Sequence, residues 1–157
     1  METGLGSMEL YHVGIVVHDI EDGKQKYGEL LGVDRWWSFE SSLPSRYRGE
    51  EVTSGAKAAY GDSGPIYVEL VEPIGDRWTA SAFLEERGEG VYHLGYWVED
   101  VPAAIVKAKD RGIGVDWAAE ADGKPFVVYL EATAGVHLEL VASSIRPIIE
   151  ARLKPKT

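Results

Sequence analysis

Apolar and polar positions alternate in short runs along most of this chain, and two stretches switch to a helical spacing. Residues 10–17 are rich in Val, Ile and Tyr and predict a strand. Asp19 or Asp22 is placed to cap a helix reaching about Leu31, with Ile20, Tyr27, Leu30 and Leu31 apolar and Gly32 at its end. Residues 35–39, 56–60 and 66–71 predict three more strands, separated by turns rich in Ser, Pro and Gly. The same order then recurs. Residues 91–98 predict a strand. Asp100 caps a helix with Pro102 in its first turn and Gly112 at its end. Residues 115–118, 126–130 and 136–141 predict strands. The order is β-α-β-β-β, twice. Residues 77–87, with Trp78, Phe83 and Leu84 apolar, predict a short helix joining the halves, and residues 144–153 predict another.

The two halves repeat residues as well as elements. Tyr11-His12-Val13-Gly14 matches Tyr92-His93-Leu94-Gly95, and the offset of 81 holds from residues 11–26 onto 92–107. Tyr67-Val68-Glu69-Leu70-Val71 matches His137-Leu138-Glu139-Leu140-Val141 at an offset of 70, so one loop of the second half is about 11 residues shorter. A period near 80 is too long for a solenoid and suggests two similar halves of one unit. The expected organisation is a single α+β domain over residues 1–157, with modules 9–73 and 90–143 joined by the helix at 77–87.

Alternate residues of a strand face opposite sides. His12 therefore shares a face with Gly14 and Val16, and His93 with Gly95 and Trp97. Glu69 shares one with Tyr67 and Val71, and Glu139 with His137 and Val141. A lone His on a strand is usually a hydrogen-bonded structural residue, and a lone Glu usually sits on an exposed face. Two of each, at equivalent positions of a repeat, point instead to one divalent metal ion held by His12, Glu69, His93 and Glu139. Two imidazoles and two carboxylates suit Co²⁺, Ni²⁺, Mn²⁺, Fe²⁺ or Zn²⁺, and ligand type does not choose among them. Four protein ligands leave room for a reactant on an octahedral ion, and such an ion can polarise a carbonyl oxygen and stabilise the enolate formed when a neighbouring proton leaves.

Composition narrows the alternatives. There is no Cys, which removes disulfides, thiolate nucleophiles and Cys-type zinc sites. A net charge of −10 argues against a nucleic-acid partner. No segment reaches the roughly 18 apolar residues of a membrane span. Residues 1–8 lack a basic start and an apolar run and are read as a tail, not a signal peptide. The expected location is cytoplasmic. GxxxxGK and Gly-x-Ser-x-Gly are both absent.

The repeat and its His/Glu set resemble the vicinal oxygen chelate superfamily, which includes glyoxalase I, extradiol dioxygenases, bleomycin-resistance proteins and methylmalonyl-CoA epimerase. The resemblance covers residues 10–141 and is nearest to the epimerase branch, through the segments beginning at Tyr11, Gly55, Phe83 and Gly135 and through Glu89-Gly90 before the second His. It implies a half-open mixed β-sheet barrel, metal positions at His12, Glu69, His93 and Glu139, an acyl-thioester or other small carbonyl substrate, and a homodimer. There are departures. Tyr92-His93 stands where epimerases often have His-His. Ala58 stands where some have a second catalytic glutamate, with Lys57 beside it pointing the other way. Glyoxalase I differs after the first Glu, where this chain has Val71-Glu72-Pro73, and extradiol dioxygenases use two His and one Glu in a larger chain.

The expected function is a metal-dependent isomerase or lyase that abstracts a proton next to a carbonyl, with Glu139 as the base. The rivals are a non-catalytic small-molecule-binding or resistance protein of the same fold, and a glyoxalase- or dioxygenase-type metalloenzyme. Tyr60, Trp97 and Tyr129 are expected to line the substrate pocket, and Arg48, in a Ser/Pro/Arg-rich loop, to contact substrate. Arg46 and Arg77 are further candidates for phosphate contacts. His137 is placed either to support the metal site or to face solvent.

Overall fold

Two aspartates start the two module helices. Asp19 Oδ1 accepts hydrogen bonds from the backbone N–H groups of Glu21 and Asp22, both at 2.9 Å, at the start of α1 (Ile20–Leu31). Gly32 ends that helix in the left-handed conformation, φ 68°. Asp100 caps α3 (Val101–Lys109) through the N–H of Ala103. A computed structural model describes residues 2–153.

The strands are β1 (Glu2–Thr3), β2 (Gly6–Val16), β3 (Trp36–Tyr47), β4 (Glu50–Ser63), β5 (Ile66–Ile74), β6 (Gly90–Val98), β7 (Val115–Ala121), β8 (Lys124–Leu130) and β9 (His137–Ala142). Helix α2 (Thr79–Arg87) joins the two sets, and α4 (Arg146–Leu153) follows a 3₁₀ turn at Ser143–Ile145. The expected elements are present, and several strands run further than expected. Much of the presumed tail belongs to the sheet, because β2 begins at Gly6 and β1 pairs back on it. The Ser/Pro/Arg-rich segment is no loop. It is one long hairpin, β3 against β4, closed by Arg48 and Gly49 with φ of 51° and 83°. The third strand of each module is longer than its apolar core.

The mixed sheet runs in the order β1-β2-β5-β4-β3-β7-β8-β9-β6, and β6 pairs again with β2. The ring is thereby closed. Its seam between the modules at β3 and β7 is only Ser45–Ala119, Arg46–Ala118 and Tyr47–Trp117, so β3 and β7 part beyond that end of the hairpin. Two buried clusters lie outside the ring: α1 packs through Ile20 on Ile15, Val17 and Leu70, and α3 through Ala104 and Ala108 on Val128 and Leu140. Two more lie inside it. Trp78 and Ala80 meet Val16, Val71, Trp117 and Tyr129, and Leu153 of α4 meets Tyr11, Tyr60, Trp97 and Val141.

Candidate metal centre

The metal candidates lie between those two interior clusters, and the backbone register puts them there. In the antiparallel β2–β6 pair His12 faces Gly95 and Gly14 faces His93. In the parallel pairs Gly14 faces Glu69 on β5 and Gly95 faces Glu139 on β9. Each glycine thus sits between a His from one side and a Glu from the other. The glycines do not make room for their own module's imidazole. A Cβ on Gly14 would lie 1.9 Å from His93 Cε1, and one on Gly95 would lie 2.0 Å from His12 Cε1. Each module holds a seat for the other module's histidine.

His12 Nε2 is 3.1 Å from Glu69 Oε2 and 2.8 Å from Glu139 Oε2, and His93 Nε2 is 3.1 and 3.2 Å from the same two atoms. The two Nε2 atoms are 2.6 Å apart, and one donor atom from each of the four residues lies within 4.8 Å of all the others. Both imidazoles are fully buried, and both glutamates are 7% exposed. Metal bonds of about 2.0–2.2 Å meeting at right angles place neighbouring donors about 3 Å apart, which is the spacing seen here. Hydrogen bonds alone do not satisfy the group: the Oε2 atoms of Glu69 and Glu139 are buried without a partner of sound geometry. Two imidazolium ions facing each other at this distance would also repel. Orphaned carboxylate oxygens and crowded imidazole nitrogens fit a divalent cation at their centre.

The electrostatics agree. Burial alone pushes the His12 imidazolium down, but the charges of Glu69 and Glu139 outweigh it and hold the pKa up at about 9. His93 moves the same way, its burial offset chiefly by Glu139. Burial pushes both glutamates up, and the two histidines pull them below the usual carboxylate range. In metal-free protein the raised His12 contributes stability that is complete below pH 6.5 and is lost as pH rises through about 9, and His93 acts in the same direction. The lowered glutamates contribute stability that is complete above about pH 4.5 and is lost in acid. A cation competes with protons for Nε2, so its affinity rises with pH. The rise in melting temperature on adding a divalent ion is therefore expected to be larger at pH 9 than at pH 6.5; paired thermal melts with and without chelator measure it.

The repeat also carries two β-bulges. Leu10 pairs with Tyr96 and His12 with Gly95, which leaves Tyr11 as the extra residue; Gly14 pairs with His93 and Ile15 with Val91, which leaves Tyr92. A bulge turns its extra side chain out of strict alternation. Both tyrosines are buried, each with its ring edge-on to the adjacent histidine at 4.2 and 4.4 Å. In an unbroken strand each would face away from its neighbouring histidine. The sign in the sequence was that Tyr precedes His in both copies.

A cavity of about 580 Å³ opens on the group. Glu69 and Glu139 line it, as do Tyr60 and Tyr129, which stand beside those glutamates across β4–β5 and β8–β9. Trp97 does not: it lies behind Tyr11, stacked on it at 3.9 Å, with the Arg146 guanidinium against its ring. Arg48 is also outside. It sits at the hairpin turn, 3.1 Å from Asp116, beside a separate cavity. Arg46 is held by Glu51 and Glu120, and Arg77 by Glu50. His137 Nδ1 donates to Leu130 O at 2.7 Å, and the ring lines the cavity of Arg48, not the central one. Ala58 does face the central cavity, while Lys57 lies outside against Glu72. Helix α4, through Ile149 and Leu153, together with Ile145 of the 3₁₀ turn before it, supplies a wall to which the sequence pattern assigns no role.

The sequence profile of the Glyoxalase/Bleomycin resistance protein/Dioxygenase superfamily matches residues 11–129. The chain belongs to this superfamily. Within it the chain is 31% identical over 121 residues to the ethylmalonyl-CoA/methylmalonyl-CoA epimerase of Cereibacter sphaeroides, covering 74% of this chain and 83% of that one. It is 26% identical over 136 residues to the mitochondrial methylmalonyl-CoA epimerase of Mus musculus, covering 83% and 71%. The solved structure of a Streptomyces coelicolor methylmalonyl-CoA epimerase variant with 2-nitronate-propionyl-CoA is similar at TM-score 0.58 and 25% identity, over 86% of this chain and 96% of that one. None of the helices in the described residues is long and apolar enough to cross a membrane.

Proposed function

We propose that this protein is a metal-dependent isomerase that moves a proton on a carbon next to a carbonyl, in the manner of a methylmalonyl-CoA epimerase. The observation that carries the reading is the convergence of His12, Glu69, His93 and Glu139 on one point at the wall of an accessible cavity. The similarity to epimerases acting on acyl-CoA substrates supports it. A divalent ion held by the four residues would supply positive charge opposite the carbonyl oxygen as negative charge develops there.

The remaining work falls to side chains. Glu139 turns Oε2 toward both imidazoles and also lines the cavity, which leaves its second oxygen for the substrate proton. Tyr60 and Tyr129 stay as neutral hydroxyls, because burial and the nearby carboxylates raise both far above 10. They shape the cavity without adding charge. With Ala58 in the second-base position, one carboxyl both removes and returns the proton, and inversion requires the planar enolate to present its other face.

Elemental analysis of purified protein tests the metal, and α-proton exchange in D₂O tests the reaction. About one divalent ion per chain is expected, with exchange at the α-carbon of methylmalonyl-CoA or a related thioester or ketone that stops on chelation. Metal-loaded protein that exchanges none of these would end the isomerase reading. Protein without metal that binds an apolar ligand unchanged would favour a sequestering role.

A further inference from the structure

The two bulge tyrosines occupy equivalent places in the repeat but have different surroundings. Tyr92 Oη is 3.2 Å from Tyr129 Oη, and its ring is packed among Val16, Trp78 and Trp117 and does not itself line the cavity. Tyr11 lines the cavity together with both glutamates. Its hydroxyl is buried beside that of Tyr60, which donates toward the Tyr11 oxygen, and its own proton has no acceptor of sound geometry among the described residues. Its ring has little freedom: it is stacked on Trp97 at 3.9 Å and set edge-on to His12 at 4.2 Å. Each tyrosine has a second tyrosine beside its hydroxyl, but only Tyr11 stands at the cavity wall with a proton to give.

We propose that Tyr11 is a substrate-contacting residue whose hydroxyl donates a hydrogen bond to the substrate oxygen on which negative charge develops. A buried O–H without an acceptor is costly, and an anionic oxygen entering the cavity satisfies it. A donor held in place before the reaction stabilises developing charge without reorganising. This role of Tyr11 deepens the isomerase reading and rests on it for the identity of the oxygen.

The test uses a binding probe that needs no turnover. Co²⁺-loaded protein is titrated calorimetrically with oxalate, a compact planar dianion that presents the oxygens of an enolised keto acid. Tyr11→Phe keeps the ring and both aromatic contacts and removes only Oη. It is expected to weaken oxalate binding about tenfold or more, as for a lost hydrogen bond to a charged group, with cobalt content unchanged. Tyr92→Phe breaks the Tyr92–Tyr129 contact and is expected to bind oxalate like the parent. Equal affinity in parent and Tyr11→Phe overturns the proposal. So does an equal loss in Tyr92→Phe, or a parent protein that does not bind oxalate. If the two variants separate as expected but no thioester or ketone exchanges its α-proton, the isomerase reading falls and the Tyr11 contact stands.

Discussion

Glu139→Gln is expected to lower α-proton exchange by about a thousandfold, the scale set by loss of a positioned general base, while the protein stays folded. The amide is nearly the same size as the carboxylate and retains an oxygen that can face His12 and His93. It has no negative charge with which to take a proton. The pseudo-twofold repeat provides a control inside the molecule. Glu69 is equally buried, is 3.1 Å from both imidazoles, and lines the same cavity. Glu69→Gln should cost a similar share of metal affinity, because it alters an equivalent donor. Only the base should lose turnover once metal is restored at saturating concentration. Exchange rates measured with excess metal therefore separate the two roles. An active Glu139→Gln beside an inactive Glu69→Gln would move the base to the first module, and two active variants would remove both.

Much of this arrangement was legible because burial and chemistry repeat along the chain. Strand parity put His12, His93, Glu69 and Glu139 on one face, and the spacing of capping residues gave both module helices. Three features were hidden for physical reasons. The long β3–β4 hairpin reads as a loop because its inward positions include Ser41 and Ser45 where a core strand would carry Val or Ile; they border a cavity or the short seam, not a packed interior. Its turn is Arg48-Gly49, and arginine is not among the residues that announce a left-handed turn position. The bulges at Tyr11 and Tyr92 shift pairing by one residue, and alternation cannot reveal a position where alternation stops. The charge of Arg48 suits a substrate contact, but charge alone does not place a side chain: Asp116, buried and also bonded to Thr79 at 2.7 Å, holds it at the far side of the hairpin turn.

The second large effect is expected at a residue that binds nothing. Gly14→Ala should abolish metal uptake as completely as His93→Ala. The added methyl would lie 1.9, 2.2 and 2.4 Å from three atoms of the His93 ring, closer than any non-bonded carbon contact permits. The ring has little room to retreat, being fully buried with Tyr92 at 4.4 Å and Tyr129 at 5.1 Å. Either the imidazole leaves its seat or β2 and β6 separate at the pair Gly14–His93. Overpacking of this kind costs about 3 kcal/mol where the core cannot adjust, and here the strain falls on the pair that joins the two modules. Gly95→Ala should do the same to His12, with 2.0 Å as its nearest contact. The measurement is the melting temperature with and without divalent ion. The parent should show a rise on metal addition, and the alanine variants a lower starting value and no rise. A Gly14→Ala protein that still takes up one ion per chain would mean that His93 is not held against that glycine, and the reciprocal seating of the two histidines would be wrong.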